Sequence, residues 1–176
     1  MSPGLEIYTI GHSTRSAEDF LSLLQAHEIR RLADIRTIPK SRRHPQFNSD
    51  TLREFLDRHG ITYRHFPSLG GLRKPKSDSV NTAWQHAGFR GYADYMATEE
   101  FDRGVDNLLE FVRLARTAVM CAEAVWWRCH RRLLSDALLA RGVPVRHITS
   151  VGVAKPHQMS EFARIDGGRV WYPGLL

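Results

Sequence analysis

Two cysteines in 176 residues are too few for a disulfide scaffold. No stretch approaches eighteen consecutive apolar residues, which argues against a membrane-spanning helix. The opening "MSPGLEIYTIGHS" has no basic segment leading into a long apolar one, so it does not read as a secretory leader. These absences lead to the expectation of a cytoplasmic protein with no membrane partner, whose cysteines are free thiols. Acidic residues are in deficit, 19 Asp and Glu against 25 Lys and Arg, and the resulting charge of +6 suits an anionic partner. No repeat, linker or second domain interrupts the chain. At 42% hydrophobic and 25% charged residues, residues 1–176 read as one globular domain able to bury a core.

What is present alternates short apolar runs with amphipathic ones. "EIYTIGH" (6–12), "RLADIR" (31–36), "ITYRHF" (61–66), "TAVMCA" (117–122) and "VPVRHI" (143–148) read as strands. "TAVMCA" is apolar throughout, as a central parallel strand covered on both faces requires. Between the strands, "SAEDFLSLLQAHE" opens on a Ser16–Asp19 capping pattern, and "NSDTLREFLDRHG" carries an apolar stripe and stops at Gly60. "TEEFDRGVDNLLEFVRLA" repeats apolar residues at helical spacing, and "WRCHRRLLSDALLARG" reads as a helix from Trp127 that Gly142 ends. Residues 67–91 are loop-like, with a short helix starting near Gly88. "FARIDGGRVWYPG" is a hairpin whose turn is Asp166-Gly167-Gly168. The fold class is therefore α/β, a three-layer Rossmann-like domain with a mainly parallel sheet of about five strands and a C-terminal hairpin.

Such sheets bind ligands beyond the carboxyl ends of their strands. Gly11, His12 and Ser13 follow the first strand; Arg36, Ser41 and Arg42 the second; Gly70 and Gly71 the third; Cys121, Glu123, Trp126, Arg128, Cys129 and His130 the fourth. Cys121, last in a buried strand, faces either a helix N-terminus and nearby arginines that favour its thiolate, or a packed core. Arg128, Arg131 and Arg132 stand in the first turns of a helix, where the backbone field is already positive. They imply either an anion held there or pairing with Glu123 and Asp136. His12 is placed to move protons or to cap the next helix. Cys129 and His130 belong either to the helix core or to the same edge. Asp34, in a central strand, needs a cationic partner, and Arg36 projects to its face.

The segments "TIGHS", "DIRTIPKSRRHPQF", "LGGLR", "FRGYADYM" and "MCAEAVWWRCHRRLLSDAL" resemble the bacterial and archaeal proteins grouped as domain of unknown function 488. The resemblance implies a Rossmann-like α/β domain and no particular activity. Carried over position by position, it falls on Gly11, His12, Ser13, Asp34, Arg36, Pro39, Ser41, Arg42, Gly70, Gly71, Cys121, Glu123, Cys129, His130 and Arg131. Trp126 stands where that family often has proline, and adds an aromatic face on which a base could stack.

Three functions compete. The first is an enzyme with a thiol-containing pocket for a small anionic or nucleotide-like ligand such as a phosphate or carboxylate. In it Cys121, Glu123 and His12 are catalytic, and Gly11, Ser13, Asp34, Arg36, Ser41, Arg42, Gly70, Gly71, Trp126, Arg128, Cys129, His130 and Arg131 form the ligand site. Cysteine-phosphatase chemistry is disfavoured, because the first arginine lies seven positions after Cys121 with no glycine between them. The second is a nucleic-acid-binding protein using "KSRRHPQF", "LRKPK" and the tryptophans. The third is a metal site drawn from His12, Cys121, Glu123, Cys129 and His130, whose cysteine spacing is unlike that of structural zinc motifs. The preferred reading needs no metal or cofactor.

Overall fold

The computed structural model describes residues 4–174. Strands β1 (Ile7–Gly11), β2 (Arg31–Asp34), β3 (Thr62–His65), β4 (Thr117–Cys121) and β5 (Val145–His147) run parallel in the order β3-β2-β4-β1-β5. A sixth, two-residue strand, β6 (Lys155–Pro156), adds antiparallel to β5; it has no apolar pattern from which it could be read in the sequence. The C-terminal hairpin β7 (Arg164–Asp166) and β8 (Arg169–Trp171) forms a separate two-stranded sheet. Gly167 and Gly168 both have positive φ, as its two-residue turn demands.

Helices α1 (Ala17–Ala26) and α2 (Ser49–Asp57) cover one face, packing Phe20, Leu24, Leu52 and Leu56 on Ile10, Leu32, Ala118 and Met120. Helices α3 (Ala87–Tyr95), α4 (Glu99–Arg113) and α5 (Arg131–Ala140) cover the other, packing on Ile7, Ala33, Val119 and Val145. The helix ends follow local chemistry. Ser16 Oγ accepts from Asp19 N at 3.0 Å, and Thr98 Oγ1 from Phe101 N at 3.2 Å, with Glu99 and Glu100 at the positive end of the α4 dipole.

One boundary differs from the sequence reading. α5 begins at Arg131 rather than Trp127, because residues 126–128 form a 3-10 turn and Cys129 is extended (φ −128°, ψ 156°). The Cys129 sulfur accepts from Arg131 N at 3.5 Å, as a capping side chain does. Arg128 thus lies outside the helix whose first turn holds Arg131 and Arg132.

The strand order locates the crevice. β1 and β4 are neighbours, yet the chain leaves β1 for α1 on one face and leaves β4 for α5 on the other. Their loops part above the sheet, the arrangement at which open α/β folds bind ligands.

Candidate functional site

A cleft of about 680 Å³ opens at this point. Its floor comes from His12 and Ser13 after β1 and from Ala122–Ala124 after β4, which extend the ladder through His12 N to Cys121 O (3.0 Å) and Ser13 N to Ala122 O (2.9 Å). A Cβ at Gly11 would overlap the Glu123 carbonyl, so only glycine lets these two loops touch. Gly71 likewise packs against the His130 imidazole, which brings the loop after β3 to the same place.

On the α1/α2 side the site rests on a buried ion pair. Asp34 accepts from Arg36 Nε (2.9 Å), Nη2 (2.7 Å) and backbone N (3.1 Å), and also from Tyr63 Oη. Arg36 Nη2 also donates to Phe47 O at 2.7 Å. Burial opposes the Arg36 charge, and the Asp34 hydrogen bonds and charge overcome it, leaving the guanidinium pKa above its ordinary value. Arg36 Nη1 lies 3.5 Å from His12 Nε2.

His12 stacks on Phe47, ring centroids 4.3 Å apart, and its Nδ1 donates to Ser13 O at 2.8 Å. Ser13 sits in the left-handed region (φ 52°), which turns that carbonyl back toward the ring. With Nδ1 as the donor, Nε2 keeps its lone pair. Burial, aided by the Arg36 charge and opposed by the Ser13 bond, lowers the His12 pKa to about 4.

The other side holds both thiols, free and 2.8 Å apart. Cys129 lines the cleft at 8% exposure, whereas Cys121, at 2%, lies behind it and off the lining. Burial raises the Cys121 pKa well above its usual value, and the hydrogen bond to Cys129 adds to this. Cys129 moves the other way, down to about 7. The hydrogen bond from Cys121 outweighs burial there, and the charge and amide of Arg131 assist. When Cys129 is ionised, Cys121 S–H is the donor between them; when both are protonated, Cys121 turns to Glu123 O at 3.5 Å. His130 Nε2 donates to Ile35 O at 3.1 Å, which leaves Nδ1 as an acceptor 3.4 Å from the Cys129 sulfur.

Among the described residues, Arg131 is the largest fully buried side chain, and no carboxylate of theirs touches it. Its Nη2 donates to Glu123 O (2.7 Å) and Ala124 O (3.3 Å), its Nη1 to Thr9 Oγ1 (3.2 Å), and its Nε has no partner among the described residues. The countercharge lies at the end of a chain of hydrogen bonds. Thr9 Oγ1 is 2.6 Å from His147 Nδ1, His147 Nε2 is 2.9 Å from His157 Nδ1, and His157 Nε2 is 2.7 Å from Asp136 Oδ1. Arginine only donates and carboxylate only accepts, so the bonds run from Arg131 through Thr9, His147 and His157 to Asp136. Burial, then the charges of His157 and Arg131, lower the His147 pKa to about 3.

Two buried histidines held neutral make the fold acid-sensitive. Their folded pKa values, about 4 and about 3, lie below the ordinary 6.5, so the unfolded chain takes up protons that the folded chain refuses. The stability is complete above pH 6.5 and declines as pH falls toward 4. A loss on the order of 3 kcal/mol between pH 7 and pH 5 is expected in urea unfolding. Equal stability at both pH values would contradict the placement of these rings.

Of the residues singled out in the sequence, His12, Ser13, Arg36, Ser41 and Gly71 line the cleft on one side, and Glu123, Arg128, Cys129 and His130 on the other. Gly11, Asp34, Gly70, Cys121 and Arg131 support it from beneath or behind. Arg42 is exposed and off the lining. Trp126 is off the cleft lining, and one face of its ring lies flat on His147 at 4.2 Å and 3°; Trp127 is the half-exposed one. Ser41 ties its loop together, its N donating to Asn48 Oδ1 (2.7 Å) and its Oγ accepting from His44 N (3.0 Å).

Lys40 and His44, both in the "KSRRHPQF" segment, also line the walls, and sequence reasoning missed His86 and Phe89 there and Ile38 and Leu72 on the rim. Only the last two carried a signal, as apolar residues stranded in polar loops, and they are 62% and 72% exposed. Among the described residues, no three His, Cys, Asp or Glu side chains gather where they could hold a metal ion. None of the described helices is long and apolar enough to cross a membrane.

A family model described as "Domain of unknown function DUF488" matches residues 16–138. The chain belongs to that family. The DUF488 match takes in both thiols, Asp34, Arg36 and Arg131. His12, Thr9, His147 and His157, which complete the site and its support, lie outside the matched residues. No curated protein and no solved structure matches the chain.

Proposed function

We propose that the protein is an enzyme whose cleft takes a small anion and presents the Cys129 thiolate to it. The observation that carries this reading is the setting of the Cys129 sulfur, between the Cys121 thiol at 2.8 Å, Arg131 N at 3.5 Å and His130 Nδ1 at 3.4 Å. The Cys121 hydrogen bond and the charge and amide of Arg131 favour ionisation near neutral pH, where a thiolate is both populated and nucleophilic. Cys129, rather than Cys121, is then the nucleophile. Burial lowers the His130 pKa, so its Nδ1 accepts from the protonated thiol without retaining the proton, and Cys121 and Arg131 steady the charge of the thiolate.

Lys40 and Arg128 line the cleft with Arg36, whose charge Asp34 balances from behind, against the carboxylate of Glu123, a balance that favours an anionic substrate. His12 Nε2, an acceptor with Arg36 Nη1 at 3.5 Å, borders the space where a proton of that substrate would lie, and Glu123 faces the same space.

Alkylation tests this reading without knowledge of the substrate. Iodoacetamide should modify Cys129 with a pH profile centred near 7, and iodoacetate should gain on iodoacetamide at low salt relative to a free thiol. A profile centred near 9 with no preference for the anionic reagent would remove the proposal.

A further inference from the structure

We propose that Cys129 and Cys121 act as the attacking and resolving thiols of a disulfide exchange with a small disulfide that carries carboxylates. The inference rests on the reading of Cys129 as the cleft thiolate and adds a reaction to it. Three observations lead there. The sulfurs lie 2.8 Å apart, inside van der Waals contact and about 0.8 Å longer than a disulfide bond. They are the only two cysteines in the chain. They are also ordered in depth, one on the cleft floor and the other sealed behind it.

The chemistry closes with no further reactant. The Cys129 thiolate attacks one sulfur of the substrate RS–SR, the substrate S–S bond breaks, and RS⁻ leaves, which gives a mixed disulfide on Cys129. Cys121 then passes its proton to a departing RS⁻ and attacks the Cys129 sulfur, expelling the second RS⁻. Two protein thiols are oxidised to one disulfide, one substrate disulfide is reduced to two thiols, and excess RSH reverses both steps. Thiol exchange needs the incoming and leaving sulfurs on opposite sides of the sulfur attacked. A group entering from the cleft and a thiol waiting beneath the floor satisfy this. The opposed pKa shifts of the pair give the same order, with the ionised thiol outside and the protonated one inside. Such dithiols are usually catalytic or redox-sensing when the compartment is reducing.

Oxidised glutathione is a suitable probe, because it is small and carries several carboxylates. Incubated with the reduced protein, it should release two glutathiones per chain and leave no lasting adduct. Trypsin cuts after Arg116, Arg128 and Arg131, so the product should appear as peptide 117–128 joined to peptide 129–131. Cys121→Ser should halt at a stable mixed disulfide on Cys129, and Cys129→Ser should react at least tenfold more slowly. The neutral disulfide of mercaptoethanol should react more slowly than oxidised glutathione at low salt.

A wild-type chain that accumulates the mixed disulfide would overturn the exchange, as would a Cys129→Ser chain that reacts at the original rate. Equal rates with the neutral disulfide would overturn the choice of substrate. If Cys121→Ser does not fold, the tryptic map of the wild type decides alone. A Cys129 that alkylates with a profile near pH 7 yet keeps its glutathione leaves the cleft reading intact and removes only the exchange. One that fails to alkylate removes both.

Discussion

Asp34→Ala is expected to lower the unfolding free energy by about 3–5 kcal/mol, the usual consequence of stripping one partner from a buried ion pair. Asp34 is fully buried and accepts from three N–H groups of Arg36 and from Tyr63 Oη. Its removal leaves the Tyr63 phenol without its acceptor and a buried guanidinium that keeps only Phe47 O and His12 Nε2 and no countercharge. For a chain of this length the loss corresponds to roughly 10 °C in the melting midpoint. Calorimetry or urea unfolding checks it. A loss below about 1 kcal/mol would mean that Arg36 swings into the cleft and is solvated there. The double variant Asp34→Leu, Arg36→Met is expected to recover much of the stability, because hydrophobic replacement of both partners removes the stranded charge. It should not recover anion preference in the alkylation assay, since Arg36 is one of the three cations facing the cleft. Stability and binding therefore separate at this pair.

Arg131→Met should both destabilise the fold and weaken the thiolate. The substitution keeps much of the side-chain length but removes the donors to Thr9, Glu123 and Ala124, and it strands Asp136 without the cation at the far end of its hydrogen-bond chain. About 3 kcal/mol is the expected loss of stability. Losing the Arg131 charge should also raise the Cys129 pKa by about one unit. Below pH 6 that cuts the thiolate fraction about tenfold. The more basic sulfur is intrinsically more nucleophilic, so the net slowing of alkylation is about fourfold, and above pH 9 it turns into an acceleration of about two- to threefold. The pH dependence separates this effect from simple loosening of the fold, which would raise alkylation at every pH. An unchanged alkylation profile in a folded Arg131→Met chain would show that Cys121 alone sets the state of Cys129.

Much of this site was visible before any coordinates. The alternation of apolar runs and amphipathic segments places five strand ends, with their glycines, histidines and arginines, on one edge. Asp34 and Arg36, two apart in a segment read as a strand, were expected to share a face, and they pair although β2 ends at Asp34. The depth order of the thiols was not visible. Position at the end of a buried strand favours Cys121 as the cleft thiol, but the face it takes is the one covered by α5. The break at Cys129 that turns the second sulfur to the cleft follows a segment whose composition suits continuous helix. His86 and Phe89 were equally hidden, because the start of α3 reaches the wall only through packing on the loop after β3.

The sequence by itself determined the elements and several of their edges: Ser16 as a cap, Gly60 and Gly142 as stops in the left-handed region, and the hairpin turn at Asp166-Gly167-Gly168, of which Gly167 and Gly168 form the turn itself. These are local matters, settled by backbone geometry and neighbours a few residues away. The tertiary structure alone decided that β4 inserts between β1 and β2, that Cys129 rather than Cys121 meets the cleft, and that Arg131 is balanced by Asp136 through Thr9, His147 and His157. Thr9 and His147 are 138 positions apart. A pairing across such a distance leaves no periodic trace in the chain, because it is chosen by the order in which strands pack and by the need of each buried donor and charge for a partner.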